Sequence, residues 1–147
     1  MDKKSYIKLE FDKILSMLSQ AAVIEPNKKK ALLLEPMEDI NEIRLALSEV
    51  NDAQALIIKR GNPPIYTIRD VVAHIKRLDV GGMLREKELL DVARLLKTAR
   101  MLKDYSSEDD ELSSYFDDLI ILRGVEEEIS SKILSEDEIA DNASIKL

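Results

Sequence analysis

Apolar residues recur along this chain in steps of three and four, the spacing of one face of an α-helix. Ile7, Phe11, Ile14, Leu15 and Leu18 predict a first helix that fades near Gln20. Pro26 opens a second at its first turn, where a missing N–H is no loss, and Ala31, Leu32 and Leu34 carry it to Glu35-Pro36. The third is the clearest. Asp39 stands at the cap position with Glu42 three residues on, and Ile40, Ile43, Leu47, Val50, Gln54 and Ile57 alternate steps of three and four as an a/d seam with one polar member. Gly61-Asn62-Pro63-Pro64 stops it. A helix over 39–60 would be about 30 Å long.

Beyond this, Asp70 starts a shorter helix through Val71, Val72, Ile75 and Leu78 that ends at Gly81-Gly82. Leu89, Val92, Ala93, Leu96, Ala99 and Leu102 mark a long one from about Glu86 to Lys103. Ser106 to Asp110 reads as a polar connector. Two short helices follow, Leu112 to Leu122 and Val125 to Leu134, and then a tail that is polar except for Ile139, Ile145 and Leu147. The expected fold is all-α, an elongated helical bundle, with residues 1–147 forming one helical domain or part of one. The last periodic apolar residue has no stop signal behind it, from which we expect the natural polypeptide to continue.

Composition narrows the picture. Hydrophobic residues are 45% and charged residues 35%, with four Gly and four Pro, the balance of a helix-rich protein with a core. No apolar run approaches the roughly 20 residues of a membrane span, and the polar start is no secretory signal. The absence of cysteine removes disulfides, is compatible with a reducing cytoplasm, and with a single histidine excludes an ordinary zinc site. The net charge of −7 is uneven. Residues 1–70 carry eleven basic and eleven acidic side chains, residues 71–105 eight basic and five acidic, and residues 106–147 three basic and thirteen acidic. The acidic last third repels phosphate, and only the middle third attracts it.

No catalytic motif is present. There is no P-loop, no nucleophile elbow and no His-Glu-x-x-His, so neither a triphosphate cradle nor a zinc hydrolase is encoded here. Asp109-Asp110-Glu111, Asp117-Asp118, Glu126-Glu127-Glu128 and Glu136-Asp137-Glu138 lack the ligand order of a calcium loop and read as solvated faces. His74, among Val71, Val72 and Ile75, reads as a half-buried helix histidine, since the sequence nominates no partner for it. Arg94, Lys97, Arg100 and Lys103 form a basic series that could touch phosphates. Glu86, Glu88, Asp91 and Asp104 share that helix and no stacking aromatic does, so a solvated or salt-bridged face is the favoured reading. The glycine pair reads as a turn between helices.

The order of these features resembles a known family. Leu9-Glu10-Phe11-Asp12-Lys13-Ile14-Leu15 is similar to the opening of the second MutS paralogue family of bacteria, MutS-like endonucleases without the mismatch-reading domain. Ala31 through Pro36, Ser48-Glu49-Val50-Asn51-Asp52-Ala53, Gly61-Asn62-Pro63-Pro64, Asp70, Gly81-Gly82-Met83-Leu84, Glu88-Leu89-Leu90, Ala99-Arg100-Met101-Leu102 and Asp141-Asn142-Ala143-Ser144 arrive in that family's order. No one motif is specific; their joint order is. Arg85 departs from the family's capping residue, a loss of about 1 kcal/mol, and Glu136-Asp137-Glu138 lacks its turn glycine. The resemblance implies the start of a MutS-type core and clamp region within a cytoplasmic, dimeric ATPase with a C-terminal Smr-type nuclease. Such a protein would act on branched DNA, restrain recombination and also meet collided ribosomes. ATP and Mg²⁺ would belong to other parts of that protein, with no cofactor held here. The competing expectation is a self-contained acidic helical interaction module with no nucleic-acid role.

Overall fold

In the computed structural model, residues 3–65, 68–106, 111–141 and 143 are described, with the side chains of residues 3–5 left aside. Eight helices are found among them, and the only strand-like pairing is an isolated bridge between Ile133 and Ile139. The all-α class therefore holds. Asn142, Ser144 to Leu147 and most of the Ser106–Asp110 connector lie outside the described residues.

The first expected helix is two: α1 (Lys3–Lys8) and α2 (Phe11–Ala21). The break falls at Glu10, whose φ of 54° and ψ of 32° place it in the left-handed region. That conformation costs a non-glycine residue roughly 1–2 kcal/mol. The ring pair it permits is a partial return: Tyr6 and Phe11 meet edge to face with centroids 5.0 Å apart. Five residues along an unbroken helix would set them about 140° apart around the axis, so the periodicity alone joined two segments that ring packing separates. α2 runs into α3 (Glu25–Leu32), with Pro26 in the first turn, and the two pack as a hairpin around Leu15 and Ala31. At its open end Leu18, Ala21, Ala22, Ala31 and Leu34 line an apolar cleft of about 370 Å³.

α4 (Ile40–Arg60) begins where the sequence places it. The Asp39 carboxylate accepts from the Asn41 and Glu42 amides at 2.7 and 3.1 Å, filling two of the four orphan donors of a helix start. Gly61, at φ 79°, ends it. At 21 residues it is about 30 Å long. It lies in no extended helix pair. One face ties it to the C-terminal region: Leu56 is buried, the Arg60 guanidinium donates to the carbonyls of Asp104 and Tyr105, and the Tyr105 hydroxyl donates to the Gly61 carbonyl. On the same face the Glu111 amide donates to Asp52 and the Tyr115 hydroxyl to Glu49. The expected seam lies roughly a third of a turn around from it. Of its members Ile40, Leu47, Val50 and Ile57 are open to solvent.

α5 (Val72–Asp79) starts on the Asp70 carboxylate, which accepts from the Val72 amide at 2.9 Å. It ends in a Schellman motif. The Gly81 amide donates to the Leu78 carbonyl and the Gly82 amide to that of Arg77, with Gly81 at φ 81°. A Cβ on Gly82 would sit 2.5 Å from Arg77 Cγ, so both glycines are needed for the turn.

α6 (Glu86–Tyr105) lacks a capping side chain at Arg85, as expected. The Glu88 carboxylate compensates by reaching back to the Arg85 amide at 2.9 Å. α7 is shorter than expected, Ser113–Asp117 instead of Leu112 to Leu122. Asp117 and Asp118 put negative charge where the helix dipole is already negative, which favours ending there. α8 (Arg123–Lys132) packs along α6. The turn after it closes without glycine: the Leu134 amide donates to the Glu138 carbonyl and the Ala140 amide to that of Lys132.

Candidate nucleic-acid interface on α6

A helix that reads phosphates needs several cations on one exposed face. Residues three apart on a helix fall back about 60° per step, so Arg94, Lys97, Arg100 and Lys103 wind through about half a turn of α6. The fold has put three of them to internal use. Arg94 donates to the buried Asp91 carboxylate at 2.6 Å, which also faces Arg69 at 3.8 Å. Arg100 makes a two-pronged contact with Glu126 on α8, Nε to Oε2 at 2.9 Å and Nη2 to Oε1 at 2.8 Å. Lys103 donates to the Phe116 carbonyl at 3.0 Å and to Asp117 at 2.7 Å, capping the end of α7. Lys97 is exposed, and its charge acts on Glu126 across the groove.

The Arg100–Glu126 contact is the polar centre of the α6–α8 pair. Glu126 is buried, and the guanidinium holds its carboxyl below the ordinary range while burial opposes that. The same bond raises the guanidinium pKa. Elsewhere on α6, Thr98, 1% exposed, turns its hydroxyl onto the Arg94 carbonyl at 2.9 Å. No buried side-chain polar atom among the described residues lacks a partner. Several members of the acidic clusters are paired in the same way, while Asp109 and Asp110 lie outside the described residues. Glu127 pairs with Arg123, Glu128 with Lys132, Asp117 with Lys103 and Glu136 with Lys87.

His74 has a partner that its sequence neighbourhood did not reveal. Its Nδ1 lies 3.4 Å from Glu88 Oε1, and Arg77 binds the same carboxylate. The Arg77 bond first, then the Arg85 amide, lower the Glu88 pKa to about 2. The cluster locks the end of α5 to the start of α6. Spacing does not expose the link, because His74 and Glu88 are on different helices and meet only through the glycine turn. No group of three His, Cys, Asp or Glu able to hold a metal occurs among the described residues. None of their helices is long and apolar enough to cross a membrane.

The chain matches no family model and no solved structure. It does match curated proteins. It is 41% identical to Endonuclease MutS2 of Ruminiclostridium cellulolyticum over 150 residues, covering 98% of this chain and 19% of that protein. It is 40% identical to Endonuclease MutS2 of Agathobacter rectalis over 153 residues, covering 100% of the chain and again 19% of the relative. Endonuclease MutS2 of Acetivibrio thermocellus is 39% identical over 151 residues, with 98% and 19% covered. The chain thus spans about a fifth of the length of these relatives. It is homologous to the MutS2 endonucleases over essentially its whole length and corresponds to an N-terminal piece of them.

Proposed function

We propose that this chain is the structural, force-transmitting N-terminal part of a cytoplasmic, DNA-binding MutS-type ATPase and endonuclease. The whole protein would work as a homodimer on branched DNA, restraining recombination, with collided ribosomes as a further target. The observation that carries the reading is the end-to-end similarity to proteins named Endonuclease MutS2, of which the chain spans a fifth. ATP and Mg²⁺ would bind elsewhere in such a protein, because the residues here offer neither a phosphate loop nor an ordered ligand set. A stiff helix of about 30 Å, capped at Asp39 and anchored at Arg60 to the end of α6, suits a mechanical element.

Any direct DNA contact in this piece would fall on α6, where Lys97 is exposed, Arg94 is exposed while paired with Asp91, and Arg100 and Lys103 are engaged. Charge favours the second reading, an acidic interaction module without a nucleic-acid role, since residues 106–147 carry thirteen acidic and three basic side chains. Fluorescence anisotropy separates the two. A labelled four-way junction and a plain duplex are titrated, at two salt concentrations, with the chain alone and with a full-length chimera. In the chimera this chain replaces the matched region of the R. cellulolyticum relative. The expected outcome is junction preference in the chimera, with the chain alone no tighter than about 10⁻⁴–10⁻⁶ M. A chimera blind to DNA favours the interaction module. Submicromolar binding by the chain alone that survives physiological salt overturns the purely structural role.

A further inference from the structure

The chain buries too little of itself. Its accessible surface is 11,446 Å², whereas a compact chain of 16.7 kDa exposes about 7,600 Å². Only Leu15, Ala31, Leu56, Val71 and Ala93 are buried apolar residues among those described. One long apolar feature left uncovered is the stripe of α4, where Ile40, Leu47, Val50 and Ile57 are 55%, 59%, 63% and 42% exposed. Its a/d spacing is that of a helix seated against another helix. The opposite claim on α4 is already filled by Leu56, Arg60, Glu49 and Asp52, so the stripe is free for a different occupant.

Area decides between occupants. A second copy burying a standard interface covers about 800 Å² per partner, roughly a fifth of the surface in excess. The relatives carry four-fifths of their length outside the matched region, which is ample to cover the rest. We propose that the α4 stripe is the seat of an amphipathic helix contributed by that outlying part of the same polypeptide. Gln54 sits inside the stripe, and a buried amide without a partner costs about 1–3 kcal/mol. The seated helix therefore presents apolar residues to Ile43, Leu47 and Val50 and a hydroxyl or amide side chain to Gln54. This rests on the chain working inside a longer MutS2-type polypeptide, and not on that polypeptide binding DNA.

The chain has no cysteine, so Val50→Cys introduces a unique thiol at an exposed position, and Lys29→Cys on exposed α3 serves as control. Maleimide labelling of each, read by peptide mass spectrometry, is compared in the 147-residue chain and in the chimera. Labelling at position 50 is expected to slow at least tenfold in the chimera, with position 29 unchanged and no dependence on concentration in the short chain. Equal rates at position 50 overturn the proposal, and so does slowing in the short chain that grows with its concentration, which would make the occupant a second copy. The remainder of the relative, added in trans, is also expected to be captured by the unaltered chain and not by the Leu47→Glu/Val50→Glu variant. Capture by both overturns the proposal. Junction binding by an unprotected chimera would leave the proposed function standing while this inference fell.

Discussion

The α2–α3 hairpin and the α6–α8 unit are both packed helix pairs, yet they are held by different physics. Leu15 and Ala31 close the hairpin through apolar contact, and its ion pairs, Lys13–Glu10 and Lys28–Glu25, are local and exposed. The C-terminal unit instead buries Asp91, Thr98 and Glu126 and joins its elements by charge, Arg100 to Glu126, Lys103 to Asp117 and Lys87 to Glu136. An apolar contact tolerates sliding and is indifferent to pH. A two-pronged ion pair fixes register, at the cost of leaving a buried charge if either partner is lost. Within the acidic third, Asp117, Glu126 and Glu136 each join their element to α6, while Glu127 and Glu128 pair inside α8.

Breaking the apolar side should have the largest effect. Leu15→Ala is expected to cost about 2–3 kcal/mol, the low end for a core leucine because the neighbouring cleft is open to water. Hydrogen exchange should show the loss confined to α1–α3, since few contacts link the hairpin to the rest; faster exchange in α6 would show the two regions to be one cooperative unit.

Breaking the polar side comes next. Arg100→Ala strands the Glu126 carboxylate and should lower Tm and release α8, by less than Leu15→Ala because the guanidinium is 31% exposed and water screens it. The double variant Arg100→Met/Glu126→Leu should be more stable than either single change. Thermal melts of the three decide it, and additive losses would mean that the pair is not coupled.

The smallest expected effect is that of acid. Glu88, Glu126, Glu128 and Glu136 all have lowered pKa values, Glu88 to about 2, and all belong to the C-terminal side. A carboxyl whose folded pKa lies below its unfolded one adds stability above the unfolded value, near 4.5, and loses it as pH falls toward the folded value. Between pH 5 and 3, therefore, the α6–α8 unit should weaken modestly while α2–α3 holds, and Glu88→Gln should flatten part of that slope. Region-resolved hydrogen exchange at the two pH values tests this, and uniform weakening of both regions would refute the assignment.

Helix positions were legible at α4 and α5, where a cap and a glycine stop stand beside a periodic run, whereas α3 ends at Leu32, short of the expected stop at Glu35-Pro36. Asp39 and Gly61 bracket α4 within a residue of expectation, and Gly81-Gly82 ends α5 because no other residue pair fits that turn. Periodicity failed where a contact off the helical period or a terminal charge overrode it. Tyr6 on Phe11 split the first helix, and Asp117-Asp118 shortened α7. The basic series on α6 was visible as residues but not as a surface. Spacing places side chains around one axis, whereas whether Arg100 meets phosphate or Glu126 depends on which helix is laid against it.

The sequence by itself determined the all-α class, the caps, the glycine turns and the family resemblance, because these depend on residues within a few positions of one another or on their linear order. Tertiary structure alone decided that Glu88 gathers His74, Arg77 and the Arg85 amide, that Arg94, Arg100 and Lys103 of the basic series on α6 are spent internally, and that the α4 seam faces away from the helices described. Charge pairing and burial are properties of surfaces brought together across dozens of residues, and nothing in local spacing encodes which surfaces meet.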